Sequence, residues 1–163
     1  MSRLQKYQQL VEEKVTQYLK VSDVSEEVVK WKPSENEWSI LQVHCHVDEW
    51  MNFWIEDLLL AINSNEKWGR TLKDDDRLAA VRDVENQDIE EIRSKIVVAK
   101  DRVILELGNL DPDVLDIEKE HVVPRIGVKP LSFLIDHFIV EHIDKHINQV
   151  ERNLKNYKQE VKN

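Results

Sequence analysis

Apolar residues recur three and four positions apart in four separate stretches of the 163-residue chain, the spacing of helices that each bury one face. The first stripe, Leu4, Tyr7, Val11, Val15 and Tyr18, predicts a helix near 2–20. A second helix is expected from Ser39, because Gln42 stands three residues on and completes the S-x-x-Q capping box that satisfies otherwise unpaired backbone donors. Its inward stripe reads Val43, His46, Val47, Trp50, Phe53, Trp54, Asp57, Leu58 and Ala61, and it should end between Asn63 and Asn65. Ile89, Ile92, Ile96, Ala99, Val103 and Leu107 mark a third helix, stopped by Gly108 and the Asp111-Pro112 step. Pro130 suits the first turn of a fourth, whose stripe is Leu131, Ile135, Phe138, Ile139, His142, His146, Gln149 and Val150 and which should run to about Tyr157.

The segments between these stripes have no sustained period. Residues 21–37, with Trp31, Pro33 and Asn36, read as a connection with one short helical turn, its tryptophan covering the core. Residues 66–86, with Gly69 and the acidic run Asp74-Asp75-Asp76, read as a long charged crossover between the second and third helices, with room for a short helical turn. Residues 108–129, with Pro124 and Gly127, read as irregular. Three glycines and four prolines are too few for the many turns of a sandwich or barrel. The expected fold is therefore all-α, a single four-helix domain over residues 1–163, large enough to bury a core without disulfide or metal staples.

Composition removes some functions. A formal net charge of −9 argues against a nucleic-acid partner, since affinity for phosphate backbones comes from Lys and Arg releasing counterions. No apolar run approaches the roughly 20 residues of a membrane span, and the start MSRLQKYQQL lacks the apolar core of a signal peptide, so no membrane association and a cytoplasmic location are expected. The single cysteine, Cys45, permits no intramolecular disulfide.

The chemistry of the chain is in its histidines. Residues four apart on a helix lie about 40° apart in azimuth, so His142 and His146 can direct both imidazoles to one point. They sit on an otherwise apolar face, where unpartnered imidazoles cost free energy and a shared cation would satisfy them. A third ligand must come from another helix, and His46 is the only other histidine on an inward stripe. His44 points to the opposite face, His121 falls in the irregular stretch and His137 is about 140° from His142, so these three are expected to be solvent-facing or locally hydrogen-bonded. The alternative for the chosen three is a set of core histidines bonded to backbone or carboxylates. Gln149 could orient a ligand, Trp50 and Trp54 could wall a pocket, and Asp48, Glu49 and Asp57 are nearby carboxylates, with Glu49 and Asp57 candidates for a general base. Cys45, about 100° from His46, reads as a small buried residue.

The run Trp38-Ser39-Ile40-Leu41-Gln42-Val43-His44-Cys45-His46 resembles the first signature of the DinB-like superfamily, with His46 in the aligned histidine position. Glu141-His142-Ile143-Asp144-Lys145-His146-Ile147-Asn148-Gln149-Val150 resembles the second, a His-x-x-x-His pair followed by a Gln-aliphatic step, and Lys129-Pro130-Leu131-Ser132-Phe133-Leu134 is similar to the family's entry into its last helix. The sequence departs from that pattern at His44, where many members carry a small aliphatic residue, and at Asp48 and Glu49, which match no family register. The resemblance covers most of the chain, the first helix and the 66–86 crossover only loosely.

It implies an up-down-down-up four-helix bundle in which His46, His142 and His146 bind a divalent metal ion, zinc or nickel. It also implies a metal-dependent enzyme that activates a thiol or water, of thiol S-transferase or hydrolase type, with a low-molecular-weight thiol or other small molecule as partner. The competing reading is a non-catalytic metal-binding bundle with a stress-response or scaffold role. A ferritin-like carrier would need paired Glu-x-x-His motifs, and the one match, Glu118 to His121, lies in the irregular stretch. A homodimer is expected both from the resemblance and from Val97, Val98, Ile104 and Leu105, which lie off the third helix's main stripe.

Overall fold

The computed structural model describes residues 1–162. The four expected helices are present as α1 (Arg3–Val21), α3 (Ile40–Asn63), α5 (Ile89–Gly108) and a final helix that runs as α6 (Leu131–Leu134), a π-helical stretch (Ile135–Val140) and α7 (Glu141–Lys162). Two short helices, α2 (Glu26–Lys30) and α4 (Asp75–Ala79), lie in the connections. Among the described residues no helix is long and apolar enough to cross a membrane.

Side-chain pairs give the helix directions. α1 and α5 run antiparallel, with Gln8 Nε2 donating to Ile104 O at 2.8 Å, Lys100 meeting Glu12 at 3.0 Å and Arg93 Nη2 donating to Leu19 O at 2.6 Å. α3 and the final helix are also antiparallel: Asn153 Nδ2 donates to Trp38 O at 2.8 Å, His46 packs on His146, and Trp54 packs on Phe138. α1 follows the final helix in the same direction, Tyr7 lying by Asp136 and Lys14 pairing with Asp144. Each of these contacts joins helix faces whose apolar stripes meet in one core, where Val15, Ile55, Leu58, Ile96, Leu107 and Val150 are fully buried. Burial of each such side chain stabilises by roughly 1.5–3 kcal/mol, so the bundle does not depend on an ion to fold.

The crossover between α3 and α5 retraces α3 from end to start. Gly69 N–H donates to Asp57 Oδ2 at 2.8 Å, Arg70 makes a two-pronged pair with Glu49 at 2.8 and 2.5 Å, and Gln42 Nε2 donates to Val81 O at 3.0 Å. Gln42 also completes the capping box with Ser39 expected from the sequence. The chain thus returns to the end of the bundle where α3 began, and α5 leaves beside α3. Arg102 reaches Asn52 at 3.2 Å and Glu56 at 3.0 Å further along both helices.

The 108–129 stretch, read as irregular, is more ordered than that. A 3-10 turn at Pro112–Asp116 leads into a small antiparallel hairpin, β1 (Glu118–Glu120) with β2 (Val128–Pro130), and the hairpin's end is bridged to Trp68 of the crossover. Trp68 is buried and its Nε1 donates to Lys119 O at 3.0 Å, so the two connections lock together. Three-residue strands carry too little alternation to be seen in a sequence.

His44 departs from its expectation. It is fully buried, and the Tyr18 hydroxyl bonds to its Nδ1 at 2.6 Å. Burial, with the nearby Arg93 charge, holds its pKa down at about 3, so the ring is neutral and Nδ1 accepts from the phenol. The opposite face of α3 is not solvent here, because α1, through Tyr18, and α5, which carries Arg93, cover it. His121 is buried as well, its Nδ1 accepting from Val123 N–H at 2.8 Å, whereas His137 is exposed and pairs with Glu141 at 2.7 Å. Removing the phenol in Tyr18→Phe leaves His44 Nδ1 buried without a partner. We expect a loss of about 1–3 kcal/mol in urea unfolding, and an unchanged midpoint would mean that the bond contributes nothing.

Candidate metal centre

The antiparallel contact of α3 with the final helix brings His46 against His142 and His146. The three rings lie 4.8 to 6.1 Å apart between centroids, and one ring nitrogen from each falls within 4.8 Å of the other two. His46 and His146 are buried and His142 is half-buried. Burial, reinforced by the neighbouring histidines, holds the pKa of His46 at about 2 and of His142 at about 3; burial holds that of His146 at about 4. All three are therefore neutral near pH 7, the state in which an imidazole lone pair can bind a cation.

Neighbouring groups set the rings. His146 Nδ1 bonds to Gln149 Oε1 at 2.9 Å; with an oxygen acceptor there, Nδ1 carries the proton and Nε2 keeps its lone pair. That Nε2 is buried with no hydrogen-bond partner, as is Nδ1 of His46. Trp50 stacks on His142 at 4.9 Å and 23°, and Trp38 lies 5.0 Å from His46. Unpartnered buried nitrogens on converging neutral imidazoles are what a bound cation would satisfy. Nitrogens bound at about 2.1 Å to a tetrahedral ion lie about 3.4 Å apart, so shifts of about an ångström would close the cluster on an ion. The donor set, three imidazoles, suits zinc, nickel and similar ions.

A cavity of about 400 Å³ opens onto the three histidines, within the range of small-molecule sites. Trp38, Arg77, Lys145, Gln149 and Arg152 are among its walls. Of the residues marked in the sequence, His46, His142, His146, Gln149 and Trp50 come together here. Trp54 does not: it packs on Phe53, Phe138 and Trp68 in the core. Asp57 is spent on Gly69 and Glu49 on Arg70, so neither is free to act as a base, and Asp48 bonds Asn52 within α3. Cys45 is buried, and burial together with Asp48 pushes its thiol up to about 11, which leaves it un-ionised and unreactive.

Sequence reasoning missed Trp38, Arg77, Lys145 and Arg152. Lys145, Gln149, Arg152 and Asn156 have four- and three-residue spacings, a polar stripe beside the histidine pair that could have been found. Arg77 carries no such signal, because its place depends on the crossover folding back along α3. The stripe of the final helix is itself displaced: Val140, Ile143 and Ile147 are buried, and Phe138 and His142 lie at the core's edge. The π-helical stretch at Ile135–Val140 widens the turn just before the histidine pair and shifts the register.

Fold and site together define a four-helix-bundle protein with a three-histidine cluster at the foot of a polar cavity. The chain belongs to the DinB superfamily, whose family model matches residues 11–150. Its fold is similar to a solved structure described as "YfiT from Bacillus subtilis is a probable metal-dependent hydrolase with an unusual four-helix bundle topology", with a TM-score of 0.78 at 15% identity over 97% of this chain and 90% of that one. Among curated proteins none matches the sequence. The hydrogen bond to Gln149 should make His146 the Nδ1–H tautomer in the metal-free protein. Nitrogen-15 chemical shifts of the histidine rings test this, and an Nε2–H form would contradict it.

Proposed function

We propose that His46, His142 and His146 hold one divalent ion, zinc or nickel, and that the protein is a metal-dependent enzyme of hydrolase or thiol S-transferase type. The observation that carries this reading is the convergence of three neutral ring nitrogens from two helices on one point beneath an open cavity. Three protein ligands leave a coordination position free, the arrangement of catalytic rather than structural sites, and the ion supplies Lewis-acid activation of a water or thiol at neutral pH. The YfiT description is consistent with the hydrolase form.

The chain's own residues bind, orient and shield. Gln149 fixes the tautomer of His146, Trp50 holds the ring plane of His142, and Trp38 covers His46. Among the described residues no cysteine, serine or threonine lines the cavity, so the nucleophile in this reading is the metal-activated water or thiol rather than a side-chain hydroxyl or thiol. Self-association is part of the same reading. Val97, Val98 and Leu105 stand exposed on α5, while Ile104 packs against the core. A dimer is expected in sedimentation velocity at micromolar concentration, and a clean monomer counts against it.

Elemental analysis after dialysis should give about one zinc or nickel per chain, lost in His46→Ala, His142→Ala and His146→Ala with little change in helical circular dichroism. Identical metal content in wild type and variants overturns the assignment. Gln149→Ala should weaken metal affinity roughly 10- to 100-fold by freeing the His146 ring. Once a substrate is found, Cys45→Ser should keep most of the activity that His142→Ala abolishes. Inhibition of wild type but not of Cys45→Ser by a thiol alkylating reagent would contradict a mechanism without a covalent intermediate.

A further inference from the structure

The chain carries 32 acidic and 23 basic residues, yet the cavity over the histidines is walled by Arg77, Lys145 and Arg152 against a single carboxylate, that of Glu37. Among the described residues none of these three cations has a carboxylate within 4.0 Å, whereas Arg3, Lys14, Lys67, Arg70, Lys100 and Arg102 all do. Arg70, in the same crossover as Arg77, shows the contrast: it is paired with both Glu49 and Asp74. Arg77 is half-buried, and its side-chain hydrogen bond is to a backbone carbonyl, Leu72 O at 3.1 Å. Its guanidinium lies 6.0 Å from the Trp38 ring, on the wall shared with His46. Burial, and after it the repulsion of Arg70, disfavour its charge, and the more distant Glu49 and Asp74 offset this only in part, so an anion in the cavity would be favourable there.

We propose that Arg77, Lys145 and Arg152 form an anion-recognition subsite over the histidine cluster, and that the substrate is a small molecule carrying a carboxylate or phosphate group. Two different elements supply the charges, α4 of the crossover and α7, so the subsite exists only because the crossover lies along α3. Arg77 offers a planar fork for two oxygens, and Lys145 and Arg152 are exposed at the rim, where they can steer and then hold an anion. The subsite deepens the enzyme reading above, since its anion would anchor the molecule on which the metal acts. Its binding test does not depend on that reading.

Isothermal titration of the protein with inorganic phosphate and with acetate, in metal-loaded and metal-stripped forms, tests the subsite. Phosphate or acetate should bind both forms, and affinity should fall roughly 10- to 100-fold in Arg77→Gln and less in Lys145→Gln or Arg152→Gln. Zinc content should be unchanged in all three variants. Whichever of the two probes binds more tightly gives the anion class. Because Lys145 and Arg152 are exposed, their variants fold as wild type does and keep the test valid if Arg77→Gln loosens α4. Failure to bind either anion at millimolar concentration, or affinities that none of the three substitutions changes, overturns the subsite. If the histidines bind no metal while anion binding still falls in Arg77→Gln, the metal reading fails and the subsite stands.

Discussion

The antiparallel seam between α3 and the final helix is the contact on which the site depends. Asn153 pins its one end to Trp38, Trp54 and Phe138 pack at the other, and the three histidines lie between. Burial in the seam keeps the imidazoles neutral and leaves Nδ1 of His46 and Nε2 of His146 without a partner at the foot of the cavity. Neutral, unpaired and convergent donors are the reason a cation fits there, and the same burial would be a liability if nothing bound.

A seam of two helices alone would leave the histidines open on one side. The crossover closes it. By retracing α3 through Asp57, Glu49 and Gln42, it carries Arg77 to the cavity and starts α5 at the end where α3 starts. The carboxylates of Asp57 and Glu49, which looked like catalytic candidates, are the groups that hold this path. Substituting them would disturb the site by releasing the crossover rather than by removing a base.

The helices, their caps and the three histidines were legible in the sequence because each depends on local spacing: a 3.6-residue period, a capping box, an i,i+4 pair. Gln149 was legible for the same reason. Other features required the tertiary fold. His44 faces away from His46, as the two-residue spacing predicts, but onto Tyr18 rather than water. The π-helical turn, which displaces the buried stripe of the final helix, left no mark in the apolar pattern. Arg77 entered the cavity through a segment whose charges suggested only a solvated surface. Residues acting through neighbours within a helix were readable, and those delivered by a long connection were not.

X-ray absorption at the metal edge of the zinc- or nickel-loaded protein tests the central claim most directly. Three imidazole nitrogens at about 2.0–2.1 Å with one further light-atom ligand, and loss of imidazole scattering in His46→Ala, are the predicted result. A shell made mainly of oxygen, or one with a single imidazole that is unaffected by removing His46, would contradict it.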